Sequence, residues 1–93
     1  MITIKTEIER REHFSRYLFG SAVYSETPSD ISDIDVAIIY DKKYVSIEEA
    51  LAYRKEITLR LGEQNSKQID TILLTIEEEE EMSFLVNSKN CGF

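Results

Sequence analysis

Three acids and one Gly-Ser pair are the residues of this chain whose types and spacing could do chemistry. Asp33 and Asp35 open the run "DIDVAIIY" in alternation with Ile34 and Val36, and Asp70 sits inside "KQIDTILL". Residues two apart on a strand point to the same face, so Asp33 and Asp35 project side by side where a buried strand would carry Val or Ile. Two carboxylates that close repel each other, and burial raises the cost. A hard divalent cation relieves both penalties, because Mg²⁺ takes oxygen ligands and binds one or two carboxylates together with substrate phosphates. If the strands carrying Asp35 and Asp70 are neighbours, Asp70 converges on the same place. Three carboxylates around one or two Mg²⁺ ions make a site for phosphoryl or nucleotidyl transfer. Gly20 and Ser21 fit that chemistry: glycine lets the backbone approach a phosphate, and Ser21 with the following amides can donate hydrogen bonds to it.

The elements that must position these residues are readable in outline. Thr6 and Glu9 have capping-box spacing and predict a helix to about Arg16, with Ile8 as the clearest member of a thin apolar stripe. "RYLF" reads as a short strand ending at Gly20, and the Pro28-containing segment from Ser21 to Ser32 as loop. "DIDVAIIY" is the strongest strand signal in the chain. Ser46 and Glu49 predict a second capping box, followed by Ile47, Ala50, Leu51, Ile57 and Leu61 at helical spacing, with Gly62 as the residue just past the helix end. "KQIDTILL" is the next strand, ending near Thr75. The acids Glu77 to Glu81 suit the first turn of a last helix with Met82, Leu85 and Val86 as its apolar members. Both longer strands are apolar on two faces, which implies a central sheet covered by helices in an α+β or α/β fold.

Composition narrows the class. At 93 residues the chain has room for one small core, and 42% hydrophobic with 31% charged residues is a globular balance. A second subunit, another copy included, is one way for so small a core to gain stability. The net charge of −7 works against non-specific binding to nucleic acid or anionic membranes, and makes a polyanionic ligand unwelcome unless cations accompany it. Cys91 is the one cysteine, so an internal disulfide is excluded and a reducing compartment is the default. "MITIKTEIERREHF" carries charges throughout and lacks a signal-peptide core, and no stretch reaches the ~20 apolar residues of a membrane span. The expectation is a cytoplasmic protein. His13 reads as a surface or half-buried histidine, and Tyr17, Tyr40, Tyr44 and Tyr53 as core or interface residues.

The stretch "GSAVYSETPSDISDIDVAII" resembles the Gly-Ser…Asp-x-Asp signature of the DNA polymerase β-type nucleotidyltransferase superfamily. It is most similar to the minimal nucleotidyltransferases, and "QIDTILL" looks like their third-acid strand. The resemblance runs from about Leu18 to Leu74, and implies one nucleotidyltransferase domain over residues 1–93 with a mixed sheet flanked by helices. It also implies that Gly20 and Ser21 hold the triphosphate of ATP or another nucleoside triphosphate. Asp33 and Asp35 would bind two Mg²⁺ ions, and Asp70 would complete the metal site as a third catalytic acid, suited to assist deprotonation of an acceptor hydroxyl. Some members of that branch are antitoxins that add AMP to a HEPN-type toxin. The chain departs from the family pattern in three places: Tyr24 and Ser25 stand where Arg and Gly are usual, the loop to Asp33 is one residue longer, and "NSKNCGF" ends about where relatives add one more short strand.

Three functions follow as expectations. The first is an enzyme that transfers a nucleoside monophosphate, AMP from Mg²⁺–ATP, to a hydroxyl on a partner protein such as a HEPN-like toxin. The second is a nucleotidyltransferase-fold module that binds and masks such a partner without turnover, its acidic face complementing a basic surface. The third, transfer to a small molecule such as an antibiotic, has the absence of an obvious acceptor domain against it.

Overall fold

In a computed structural model, residues 6–20, 33–83 and 90–93 are described. Four strands and two helices follow one another as β1 (Phe14–Phe19), β2 (Asp33–Tyr40), α1 (Ile47–Asn65), β3 (Gln68–Thr75), α2 (Ile76–Met82) and β4 (Asn90–Gly92). They build one mixed sheet in the order β3-β2-β1-β4. β2 and β3 run parallel, while β1 is antiparallel to both β2 and β4. Parallel neighbours need a crossover, and α1 supplies it across one face of the sheet. The architecture is α+β.

The core lies between α1 and that face. Ala50, Tyr53, Ile57 and Leu61 recur at helical spacing on the buried side of α1. Tyr53, Ile57 and Leu61 pack with Ile34, Val36 and Ile38 of β2, with Leu18 of β1 and with Ile8. Alternation along β2 therefore divides it: even-numbered apolar residues meet the helix, and Asp33 and Asp35 stand on the other side. The start of α1 is capped as expected, with the Ser46 side chain accepting from the Glu49 backbone N–H at 3.2 Å. α2 begins on a full capping box between Thr75 and Glu78. No helix among the described residues is long and apolar enough to cross a membrane.

The structure corrects four expectations. Residues 6–13 form no helix, and Phe14, Arg16 and Leu18 alternate along β1. The leading segment is held by tertiary bonds that local spacing does not reveal. Gln64 both donates to Glu7 O (2.9 Å) and accepts from Glu7 N (3.2 Å), Tyr53 Oη donates to Glu9 O (2.8 Å), and the buried Arg16 donates to Ile8 O (3.1 Å). Burial pushes the Arg16 guanidinium below its usual range, and it also donates twice to Phe93 O. Second, α1 runs past Gly62 to Asn65, and Ser66 takes the left-handed position (φ 52°) with its N–H on Gly62 O. The extra turn is held by Gln64, tied to Glu7, and by Asn65 Nδ2 donating to Leu61 O (3.0 Å). Third, α2 ends at Met82, which is exposed, after about two turns that bury no residue; Leu85 and Val86 lie outside the described residues. Fourth, the short last strand is present: Asn90–Gly92 pairs with Tyr17, Leu18 and Phe19 as β4. Of the tyrosines, Tyr40 and Tyr53 are buried, whereas Tyr44 is exposed and stacks on the exposed ring of His13 at 4.2 Å.

Candidate active site

Strand pairing decides where the acids meet. In the parallel β2–β3 ladder Asp35 is the register partner of Asp70, and Asp33 that of Gln68. Register partners share a face, about 4.8 Å apart across the ladder. Asp33, Asp35 and Asp70 accordingly all stand on the face opposite α1, Asp35 between the other two. On its other side, in the antiparallel ladder, Asp35 is the register partner of Phe19. Asp33 and Asp35 are half-buried and Asp70 is exposed on the edge strand.

Charge and burial act on the central acid. Burial raises the Asp35 carboxyl above its ordinary value, and the charges of Asp70 and then Asp33 raise it further. The order of causes makes Asp70 the stronger electrostatic neighbour of Asp35.

Gly20 closes on the same carboxylate. It ends β1 with φ +70°, a left-handed conformation that glycine adopts without steric cost. A Cβ at this position would come within 2.7 Å of Asp35 Oδ2, where ordinary van der Waals contact needs at least about 3.4 Å. The sequence reading gave Gly20 a role toward phosphate; its immediate neighbour is the acid itself. The signal for that contact was present only as a strand-ending glycine, and the pairing of Phe19 with Asp35 was not inferable without the ladder. Ser21, Tyr24, Ser25 and the loop through Ser32 lie outside the described residues.

The donors are oxygen only and anionic, the set that a hard divalent cation takes, and the repulsion that raises Asp35 is what such a cation relieves. In kind and in facing, the three acids suit Mg²⁺. Among the described residues, no group of three or more His, Cys, Asp and Glu is arranged to hold a metal ion. The acids share a face and an electrostatic field without closing into a ligand shell.

A concavity of about 500 Å³ lies elsewhere, at the β1–β4 edge, lined by Arg10, Arg11, His13, Arg16 and Phe93 among others. Two of its arginines are already engaged: Arg16 by the carbonyls of Ile8 and Phe93, and Arg11 by Glu56 at 3.3 Å and the Tyr53 ring. It has no carboxylate cluster and does not adjoin the acid face.

Residues 1–91 match the family model described as a nucleotidyltransferase domain. Neither a curated protein nor a solved structure matches the chain.

Proposed function

The chain belongs to the nucleotidyltransferase domain family, and from that premise we propose that it moves AMP from Mg²⁺–ATP to a hydroxyl on a separate partner protein, as the antitoxin of a HEPN-like toxin. Nucleotidyl transfer in general follows from the family; the donor, the acceptor and the pairing with a toxin are the proposal. The observation that carries it is the register of Asp35 with Asp70, which sets a third carboxylate beside the Asp33–Asp35 pair.

Each residue has a task in this reading. Asp33 and Asp35 would hold Mg²⁺, with Asp70 completing the set, and the ion would supply the charge that neutralises the triphosphate and polarises the transferred phosphoryl group. Gly20 leaves room for the Asp35 carboxylate and, with Ser21, would border the triphosphate. Asp70, on the open edge strand, is the acid best placed to take the proton of an incoming acceptor hydroxyl. Asp35, half-buried and facing two further acids, carries a standing electrostatic penalty, and cation binding would offset it.

One observation favours a second reading. The described acids do not close into a metal-holding group, as expected if the fold binds and masks its partner without turnover. Replacing Asp33 and Asp35 together by Asn separates the two. The enzyme reading expects labelled-AMP transfer to the partner and rescue from its toxicity to disappear together, while the variant stays folded. Rescue that persists without transfer, in the wild type as in the variant, overturns the enzyme reading and leaves the masking module.

A further inference from the structure

The outer face of α1 carries exposed apolar residues among its charges. Ala50, Tyr53, Ile57 and Leu61 are buried against the sheet. At ~100° per residue the opposite side carries Glu48, Leu51, Ala52, Lys55, Leu59 and Glu63, all of them exposed. Leu51 and Leu59 keep 43% and 55% of their surface in solvent, and Tyr44, on the turn leading into the helix, keeps 66%. A shallow groove lies on each side of the ridge formed by Lys55 and Leu59. Leu51, Thr58 and Thr71 line one, and Ala52, Glu56 and Arg60 the other. A ridge between two grooves is the relief that lets one helix pack into another.

The charges on this face indicate what covers it. Glu48 and Lys55 lie two turns apart on one line of this face, and Glu63 lies two turns further along but about 80° round the helix, so the signs alternate along its length. A parallel copy in register would set like against like. An antiparallel copy set so that Lys55 of each chain faces Glu48 of the other makes two opposite-charge contacts. That same offset brings Leu51 against Ala52 of the other copy at the two-fold axis. This arrangement satisfies charge and apolar patterns together and is self-complementary, as a two-fold interface must be. We propose that the chain forms a homodimer through antiparallel packing of the outer faces of α1.

The expected dimer is weak. At this offset residues 47–56 of the two helices overlap, a length of about 15 Å, and so short a contact falls below the ~800 Å² per partner of a standard interface. The acid face lies on the other side of the sheet and remains open in the dimer.

Sedimentation equilibrium of the full chain from about 1 μM to 1 mM, a range that spans weak dimers, tests the proposal. Wild type is expected to shift from monomer to dimer across it. Lys55→Glu and Glu48→Lys should each weaken association by about tenfold or more, and both changes in one chain should restore it. An equimolar mixture of the two single variants should also dimerise, because each then presents the charge that the other lacks. Circular dichroism confirms that the variants, altered only at exposed positions, remain folded. A wild type that stays monomeric throughout, as it would if a different protein covers this face, overturns the proposal. So does a Lys55→Glu variant that dimerises as wild type does, or a mixture that fails to associate.

Discussion

Replacing Gly20 by alanine tests how the acid face is held. Two costs are separable in the structure. An L-residue at φ +70° carries about 1–2 kcal/mol for the left-handed conformation. The new methyl group would also stand 2.7 Å from Asp35 Oδ2, so the carboxylate or the end of β1 must yield by more than half an ångström. The contacted oxygen ends a half-buried side chain that can swing away, which puts this cost near the low end of overpacking, about 1 kcal/mol. The sum, about 2–3 kcal/mol, is a sizeable part of the ~5–15 kcal/mol that holds a domain together. Each kcal/mol lowers Tm by about 4–8 °C in a chain of this size. A double-mutant cycle isolates the contact. Gly20→Ala combined with Asp35→Ala removes the clash and leaves only the backbone cost, so denaturant melts of the four chains should give a coupling of about 1 kcal/mol or more in favour of the double variant. Strict additivity would refute the claim that Gly20 is glycine because of Asp35. In a transfer assay the single Gly20→Ala variant should lose on the order of 100-fold in rate, the usual result of an ångström-scale misplacement.

Two further outcomes follow. The Asp35 carboxyl is raised in the folded state, so the folded chain holds that proton more tightly than the unfolded one. The associated stability is full below the ordinary aspartate range and is lost as pH rises through the raised value; Asp35→Asn should therefore stabilise the metal-free chain at neutral pH and flatten its pH dependence, and urea melts showing an unchanged slope would contradict this. Tyr53→Phe removes the hydrogen bond to Glu9 O without changing the core shape, and should cost about 0.5–1.5 kcal/mol while increasing hydrogen exchange in residues 6–10; exchange confined to other segments would argue against the tether.

The parts of this fold that could be read from the sequence are those where local pattern and tertiary demand coincide. β2 and β3 are apolar enough to be strands in any environment, and the α1 start carries its own cap in Ser46. The two strands' acids fall on the same face because the period of a strand is two. The leading segment misled for the opposite reason. Thr6 and Glu9 satisfy a capping pattern, but Ile8 is needed in the core and Glu7 and Glu9 find hydrogen-bond partners on α1, contacts 44 to 57 residues away in sequence. The end of α1 was displaced by the same kind of contact, since Gln64 lies in the added turn. At the site, the residue types were evident, whereas the closeness of Gly20 to Asp35 depends on the β1–β2 register, which no local pattern encodes.

The β2–β3 register also makes the placement of the acids discrete. Ile69 packs against the core beneath α1 and its neighbour Asp70 faces away. A slip of one residue would exchange them, driving a carboxylate toward Tyr53, Ile57 and Leu61 and an isoleucine into water. No intermediate alignment exists between these two, so the facing of Asp70 toward the side of Asp35 is specified by the greasy side of the sheet and not by the polar one. Weakening the contacts of Ile57 or Leu61 should therefore thin the population of chains that have a site at all, while every chain that remains folded keeps its acids on the same face.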